Sequence, residues 1–174
     1  AIVYNWAIIL LAAYFSATYL NVFTFFIAII VIGARMHALA ILMHDASHYR
    51  FMKNRYWNDL ITDITTMYPL FLTIEKYRIN HLAHHKHLNT EEDPDWVSKL
   101  PKKEFQFPKT KQEFILGILS YFLLVQGMKD AIWFVTRFNV FGANKNPTKK
   151  SSQLSQLLFY GLLITVLSVF LNFI

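Results

Sequence analysis

Long apolar segments flank a polar middle in this chain. Residues 2–20 and 22–43 are almost wholly apolar, and each approaches the ~20 residues that a helix needs to cross a bilayer core. Asn21 separates them as a turn residue. The pattern predicts two transmembrane helices in a tight hairpin whose outer ends share one side of the membrane. The alternative for the first segment is a cleaved signal peptide, but it lacks a basic start and a cleavage motif.

The polar region at residues 44–112 holds most of the charged side chains. Within it, the stretch at 58–72 is semi-apolar and suits an interfacial helix better than a span. Three prolines farther along favour an extended course: Pro94, Pro101 and Pro108.

The remaining residues predict two more helical segments. Residues 113–137 are apolar at first and then charged, and the basic residues that follow would face outward if this segment crossed the membrane. An interfacial or re-entrant helix is therefore favoured there. Residues 154–174 predict a further transmembrane helix. The expected fold is an all-α membrane protein with one domain over residues 1–174.

Charge and composition narrow the class of protein. The chain is 55% hydrophobic and 17% aromatic, which is more apolar than a soluble domain of this length requires. All but one of the 17 lysine and arginine residues lie between residues 50 and 150, so the polar region is expected to face the cytoplasm. Basic residues alternate there with acidic ones, which argues against nucleic-acid binding. The absence of cysteine excludes thiolate metal sites and disulfides.

All seven histidines lie between residues 37 and 87, and five of them form two clusters. The first cluster is His44 and His48, spaced i, i+4. The second cluster is His81, His84 and His85, spaced i, i+3, i+4. Either spacing places imidazoles on one helical face, and imidazole is a common ligand of iron, zinc and copper. The clusters predict a polyhistidine metal centre at the membrane surface.

Other residues near the clusters are weaker candidates. Helical phase does not settle whether His87 is a ligand, and His37 lies ~10 Å deeper than His44 along the helix, which favours a supporting or structural role. Arg35, an ionisable residue near the membrane, is either functional or extends to the headgroups. Candidate carboxylates that would orient the imidazoles are Asp45, Glu91, Glu92, Asp93 and Asp95.

The two clusters and their flanks resemble a known family. His44-Asp-Ala-Ser-His48 resembles the first histidine box of the membrane fatty acid desaturase superfamily, which includes acyl desaturases, lipid hydroxylases and carotenoid ketolases. His81-Leu-Ala-His84-His85 resembles its second box, of pattern H-x-x-H-H. The likeness covers residues 30–100 well and the rest through hydropathy.

The resemblance implies two iron ions facing the cytoplasm, with O2 as co-substrate, although zinc can replace iron in a purified sample. The five clustered histidines would be ligands. Family members carry a third histidine box, whereas no histidine follows His87 here. We therefore expect a partial chain that is inactive by itself, because two ions need about eight ligands.

The expected reaction is O2-dependent desaturation of a fatty acyl chain in a lipid. Hydroxylation or ketolation on the same scaffold, and a non-catalytic membrane metal-binding protein, are the alternatives. Electrons must come from a separate donor such as ferredoxin or cytochrome b5, and Lys99, Lys102 and Lys103 are candidates to dock it. Substrate-binding residues stay unassigned: nearby aromatic residues suit either a tunnel lining or an interface belt, namely Tyr49, Phe51, Trp57, Tyr68 and Tyr77.

Overall fold

A computed structural model describes residues 1–138 and 150–171, and every regular element in those ranges is helical. The all-α prediction is thus confirmed. The chain divides into two units, residues 1–69 and residues 70–174. The predicted basic loop after residue 138, with Lys145 and Lys149, and the end of the predicted last helix at 172–174 lie outside the described residues.

The first unit begins with a helical hairpin. Helix α1 spans Ile2–Tyr19 and helix α2 spans Val22–Ser47. Leu20 takes the left-handed conformation that ends α1, and the Asn21 side chain accepts the Thr24 N–H at the start of α2. Both helices are long and apolar enough to cross a membrane. The two helices match the predicted apolar segments, and their length and composition suit the predicted transmembrane hairpin.

Helix α2 continues past the predicted boundary at residue 43. Its 26 residues exceed the ~20 that cross a bilayer core, so about six residues, or ~9 Å of helix, remain beyond it when counted from Val22. His44 belongs to that extension. The first cluster therefore lies at the end of α2, with His44 in its last turn and His48 directly after it.

The rest of the first unit folds against the hairpin. Helix α3 spans Arg55–Thr62 and runs on into a π-helical turn at Asp63–Met67 and a 3-10 turn at Tyr68–Leu70. The Trp6 indole of α1 donates to the Thr65 carbonyl over 2.8 Å, which attaches the π-helical turn to the hairpin. Buried residues of this unit include Leu39, Met67 and Tyr68.

The second unit holds the other helices. Helix α4 spans Ile74–Lys86, α5 spans Pro94–Lys99, and α8 spans Lys150–Leu171. The extended course predicted after the second cluster is wrong in part. Pro94 occupies the first position of α5, and Asp93 is its N-cap residue. Proline is favourable at this position because the first backbone N–H groups of a helix have no acceptor within the helix.

The predicted helix at 113–137 is two helices. Helix α6 spans Lys111–Phe122 and α7 spans Val125–Phe138, with a bend of 69° between them. Leu124 takes a positive φ of 62° at the break. Such a pair is compatible with a broken span or a re-entrant loop, so the choice between crossing and lying at the interface stays a prediction. Helix α8 covers most of the predicted last span at 154–174, and whether it crosses the membrane stays a prediction.

Candidate metal centre

The first cluster occupies the C-terminal end of α2. His44 lies in the last turn and His48 is the C-cap residue, and their ring centroids are 5.1 Å apart. Tyr49 then takes a left-handed φ of 56°, which stops the helix directly after His48. The Asp45 carboxylate is exposed and lies 3.4 Å from His44 Nδ1, a long contact for a hydrogen bond. The cluster thus presents two neighbouring imidazoles at a helix end.

A buried amide holds this helix end in place. Asn58 of α3 is 0% exposed, and its Nδ2 donates to the Ala46 carbonyl over 2.9 Å. Its Oδ1 accepts the Met52 N–H over 3.1 Å. The last turn of α2 ends in carbonyls with no partner inside the helix, so a side chain that satisfies one of them also fixes the position of the turn. Sequence reasoning assigned Asn58 no such role.

The second cluster lies on α4 in the second unit. His81 Nε2 and His85 Nε2 are 3.0 Å apart, as their i, i+4 spacing predicts. Tyr77, one turn earlier, stacks on the His81 ring with centroids 5.2 Å apart. The pKa of Tyr77 is raised by burial and by the nearby charge of Asp95, so its phenol stays protonated. The second cluster is therefore a close pair of ring nitrogens backed by an aromatic ring.

His84 is oriented by a carboxylate. Its Nδ1 lies 2.9 Å from both oxygens of Asp93, which is 0% exposed. Burial alone would raise the Asp93 pKa, but hydrogen bonds from the Asn89 N–H, the His84 ring and the N–H groups of Trp96 and Asp95 outweigh it and hold that pKa far below its ordinary value.

The ionised state of Asp93 fixes the His84 tautomer. An ionised carboxylate only accepts hydrogen bonds, so Nδ1 carries the proton and Nε2 is left with a lone pair for a ligand. Among the five carboxylates suggested by the sequence, Asp93 is the one placed to support a clustered histidine in this way.

Asp95 has a different environment. Its carboxylate accepts from Asn80 Nδ2 over 2.8 Å and lies 3.8 Å from the Arg137 guanidinium of α7. Arg137 also donates to the Asn80 side chain and to the Pro94 carbonyl. Sequence reasoning assigned no site role to Asn80 or Arg137. The sequence pattern did not indicate these contacts of Arg137, because Asn80 and Pro94 lie 57 and 43 residues away along the chain.

The weaker candidates lie apart from these contacts. His87 is the C-cap residue of α4, and its charge interaction is with exposed Glu92. His37 lies two turns before His44 on α2 with an exposed side chain, and Arg35 on the same helix is half-buried. Their metal or supporting roles stay predictions.

The aromatic residues near the clusters do not form a uniform set. Tyr68 is buried in the first unit, whereas Trp57 is exposed on α3. The Tyr49 ring lies under the Arg55 guanidinium, with the central carbon 4.8 Å from the ring centroid. Of the residues suggested as a tunnel lining, Tyr77 stacks on a clustered histidine, His81.

The donor atoms of the second cluster fit a transition-metal ion. Two nitrogens at ~2.0–2.1 Å from one ion, with a bond angle of about 90–110°, lie about 2.9–3.4 Å apart. The His81–His85 separation of 3.0 Å falls in that interval. The His84–Asp93 pair has the carboxylate–histidine arrangement that orients metal ligands. The second cluster thus has both a ligand pair and a supported ligand.

Imidazoles near the ends of two helices, in a chain with helices long and apolar enough to cross a membrane, indicate a helical membrane protein whose histidines could hold a metal ion. The family comparison is specific. The Fatty acid desaturase family model matches residues 17–174, and the chain belongs to that family.

Three curated proteins have similar sequences. The chain is 34% identical to sn-1 oleoyl-lipid 12-desaturase from Anabaena variabilis over 110 residues, and this alignment covers 63% of the chain and 29% of that protein. It is 39% identical over 71 residues to dihydrorhizobitoxine desaturase from Bradyrhizobium elkanii, covering 40% and 20%. It is 31% identical over 112 residues to sn-1 acyl-lipid omega-3 desaturase (ferredoxin) from Nostoc sp. (strain 36), covering 62% and 31%.

The chain therefore spans less than a third of the length of each of these relatives. No solved structure matches it significantly.

Proposed function

We propose that the protein is a multi-pass integral-membrane oxidoreductase with a non-haem di-iron centre, and that it uses O2 to desaturate fatty acyl chains of lipids. Membership of the fatty acid desaturase family supports the reaction class. Two of the three relatives are named as desaturases of acyl or oleoyl lipids, and the third is named for dihydrorhizobitoxine. The activity is proposed for the whole protein, because the chain spans a minor part of each relative.

The arrangement of the second cluster carries the metal part of the proposal. His81 and His85 offer two ring nitrogens at the spacing of neighbouring ligands, and His84 is held by Asp93 with Nε2 available. We propose that these three histidines and the first cluster, His44 and His48, supply ligands to the same pair of ions. Five imidazoles are fewer than two ions need, so the 174-residue chain alone is expected to be inactive.

The protein's part in the reaction is binding and positioning. A di-iron centre held by these histidines would activate O2, the oxidant, toward an unactivated C–H bond. Desaturation removes two hydrogens from adjacent carbons, and O2 with two electrons and two further protons is reduced to two waters. Asp93 keeps His84 in one tautomer, and the stacked Tyr77 ring limits the rotation of His81.

The two electrons require a separate donor. The relative from Nostoc has ferredoxin in its name, which supports a ferredoxin here over cytochrome b5. Of the lysines suggested as a docking surface, Lys102 already contacts other side chains of the chain. Its Nζ lies 4.4 Å from the Trp133 ring centroid and 3.6 Å from Asp130 Oδ1. Lys103, which is exposed, is the more accessible docking candidate.

The test uses the full-length protein in vesicles of acyl lipid, with reduced ferredoxin and O2. Mass spectrometry of the lipid is expected to show loss of two hydrogens per turnover, together with bound iron. The double variant H81A/H85A is expected to lose both iron and product, whereas exposed Lys53→Ala keeps both. Gain of one oxygen atom would assign a hydroxylase instead, and iron binding without O2 uptake would leave a non-catalytic metal protein.

A further inference from the structure

Arg137 joins three parts of the second unit that are distant in the sequence. From α7, its guanidinium donates to the Asn80 side chain on α4 and to the Pro94 carbonyl at the start of α5, the latter over 3.0 Å. Asp95 Oδ1 lies 3.8 Å away and itself accepts from Asn80. The arginine side chain is 19% exposed, so these groups rather than water provide most of its partners.

The contacts of Arg137 surround the residue that orients His84. Asp93 is followed directly by Pro94 and Asp95, and it accepts the N–H groups of Asp95 and Trp96. On the helix, Asn80 precedes His81 and lies one turn before His84. A shift of the α5 start away from α4 would therefore move the Asp93 carboxylate away from the His84 ring.

We propose that Arg137 is a positioning residue for the second cluster: it holds the start of α5 against α4 and, through Asp93, fixes the orientation of the His84 imidazole. The inference rests on the proposed metal-binding function. A guanidinium suits this role because its planar set of donors reaches several acceptors at once, which the point charge of lysine does not reproduce. Trp133, one turn earlier on α7, supports the guanidinium with a ring centroid 4.9 Å from its central carbon.

The test compares Arg137→Met with Lys129→Met in the full-length protein. Both variants lose one positive charge from α7, but Lys129 is exposed on its surface. Affinity for Co2+, followed by its absorption bands in detergent, is expected to fall about tenfold in R137M, the lower end of the effect of losing a ligand-supporting contact. K129M is expected to match the parent protein.

Two further measurements separate positioning from general damage. In R137M, amide exchange is expected to rise at Asp95 and Trp96, the donors to Asp93. In R137M/D93N the loss of Co2+ affinity is expected to be less than the sum of the single losses, because both changes act on the same imidazole. If R137M does not fold, Arg137→Lys replaces it, with a smaller loss of affinity expected.

Each outcome bears on one proposal only. Parental Co2+ affinity and parental exchange in R137M, or strictly additive losses in the double variant, would overturn the positioning role and leave the desaturase proposal intact. The opposite outcome would overturn the proposed function and keep the positioning role: R137M binds Co2+ more weakly than the parental protein, as predicted, but the iron-loaded parental protein oxidises no lipid.

Discussion

Replacing Asn58 by alanine tests how the first cluster is held. The change removes the amide that satisfies the Ala46 carbonyl and the Met52 N–H. The Ala46 carbonyl also accepts the Tyr49 N–H over 3.0 Å, so losing the Asn58 donor costs the net value of one hydrogen bond, ~0.5–1.5 kcal/mol. Met52 is exposed, so its N–H can form a hydrogen bond to water instead. Losing the Asn58 acceptor therefore lowers the free energy of unfolding by an amount at the low end, about 1 kcal/mol. Together the structure predicts a loss of ~1.5–2.5 kcal/mol.

Hydrogen exchange on the full-length protein measures this loss where it occurs. Since 1.4 kcal/mol corresponds to a factor of ten, protection of the segment at 44–52 is expected to fall by about 10- to 60-fold. The control is Asn21→Ala, which removes an exposed helix cap at the opposite end of α2 and is expected to cost ~1 kcal/mol near the hairpin turn. Unchanged protection at 44–52 in N58A would refute the claim that this amide fixes the helix end.

Three further predictions concern the site and its orientation. Asp93→Asn is expected to weaken Co2+ affinity about 10- to 100-fold, measured by absorption titration, because the amide cannot hold the imidazole with two ionised oxygens; parental affinity would contradict this. His85→Ala is expected to reduce bound iron strongly, whereas His87→Ala is expected to leave it near the parental value, as measured by elemental analysis. Equal losses of iron in the two variants would show that His87 is also a ligand. In a background without other cysteines, single cysteines report topology: Lys53→Cys is expected to react with an impermeant maleimide only in opened cells, and Asn21→Cys in intact cells; the reverse pattern would invert the proposed orientation.

The membrane-length helices and the helical spacing of both clusters were accessible from the sequence. Helices α1 and α2 follow from continuous apolar runs, because a bilayer requires ~20 such residues whatever surrounds them. The i, i+4 relation of His81 and His85 needs only helical geometry to predict a close pair. The sequence also contained a signal for α5, an aspartate cap before a proline, although prolines farther along favoured an extended chain there.

What only the tertiary structure decided is which polar side chains support which histidine. Asp93 was one of five candidate carboxylates, four of them within residues 91–95, and burial together with four hydrogen-bond donors distinguishes it. Arg137 follows an apolar segment and resembles any basic residue at a membrane surface, until α7 brings it against Asn80 and Pro94. Local pattern determines helices because their hydrogen bonds are local. Contacts across 43 or 57 residues depend on how helices pack, and no spacing rule along the chain encodes that.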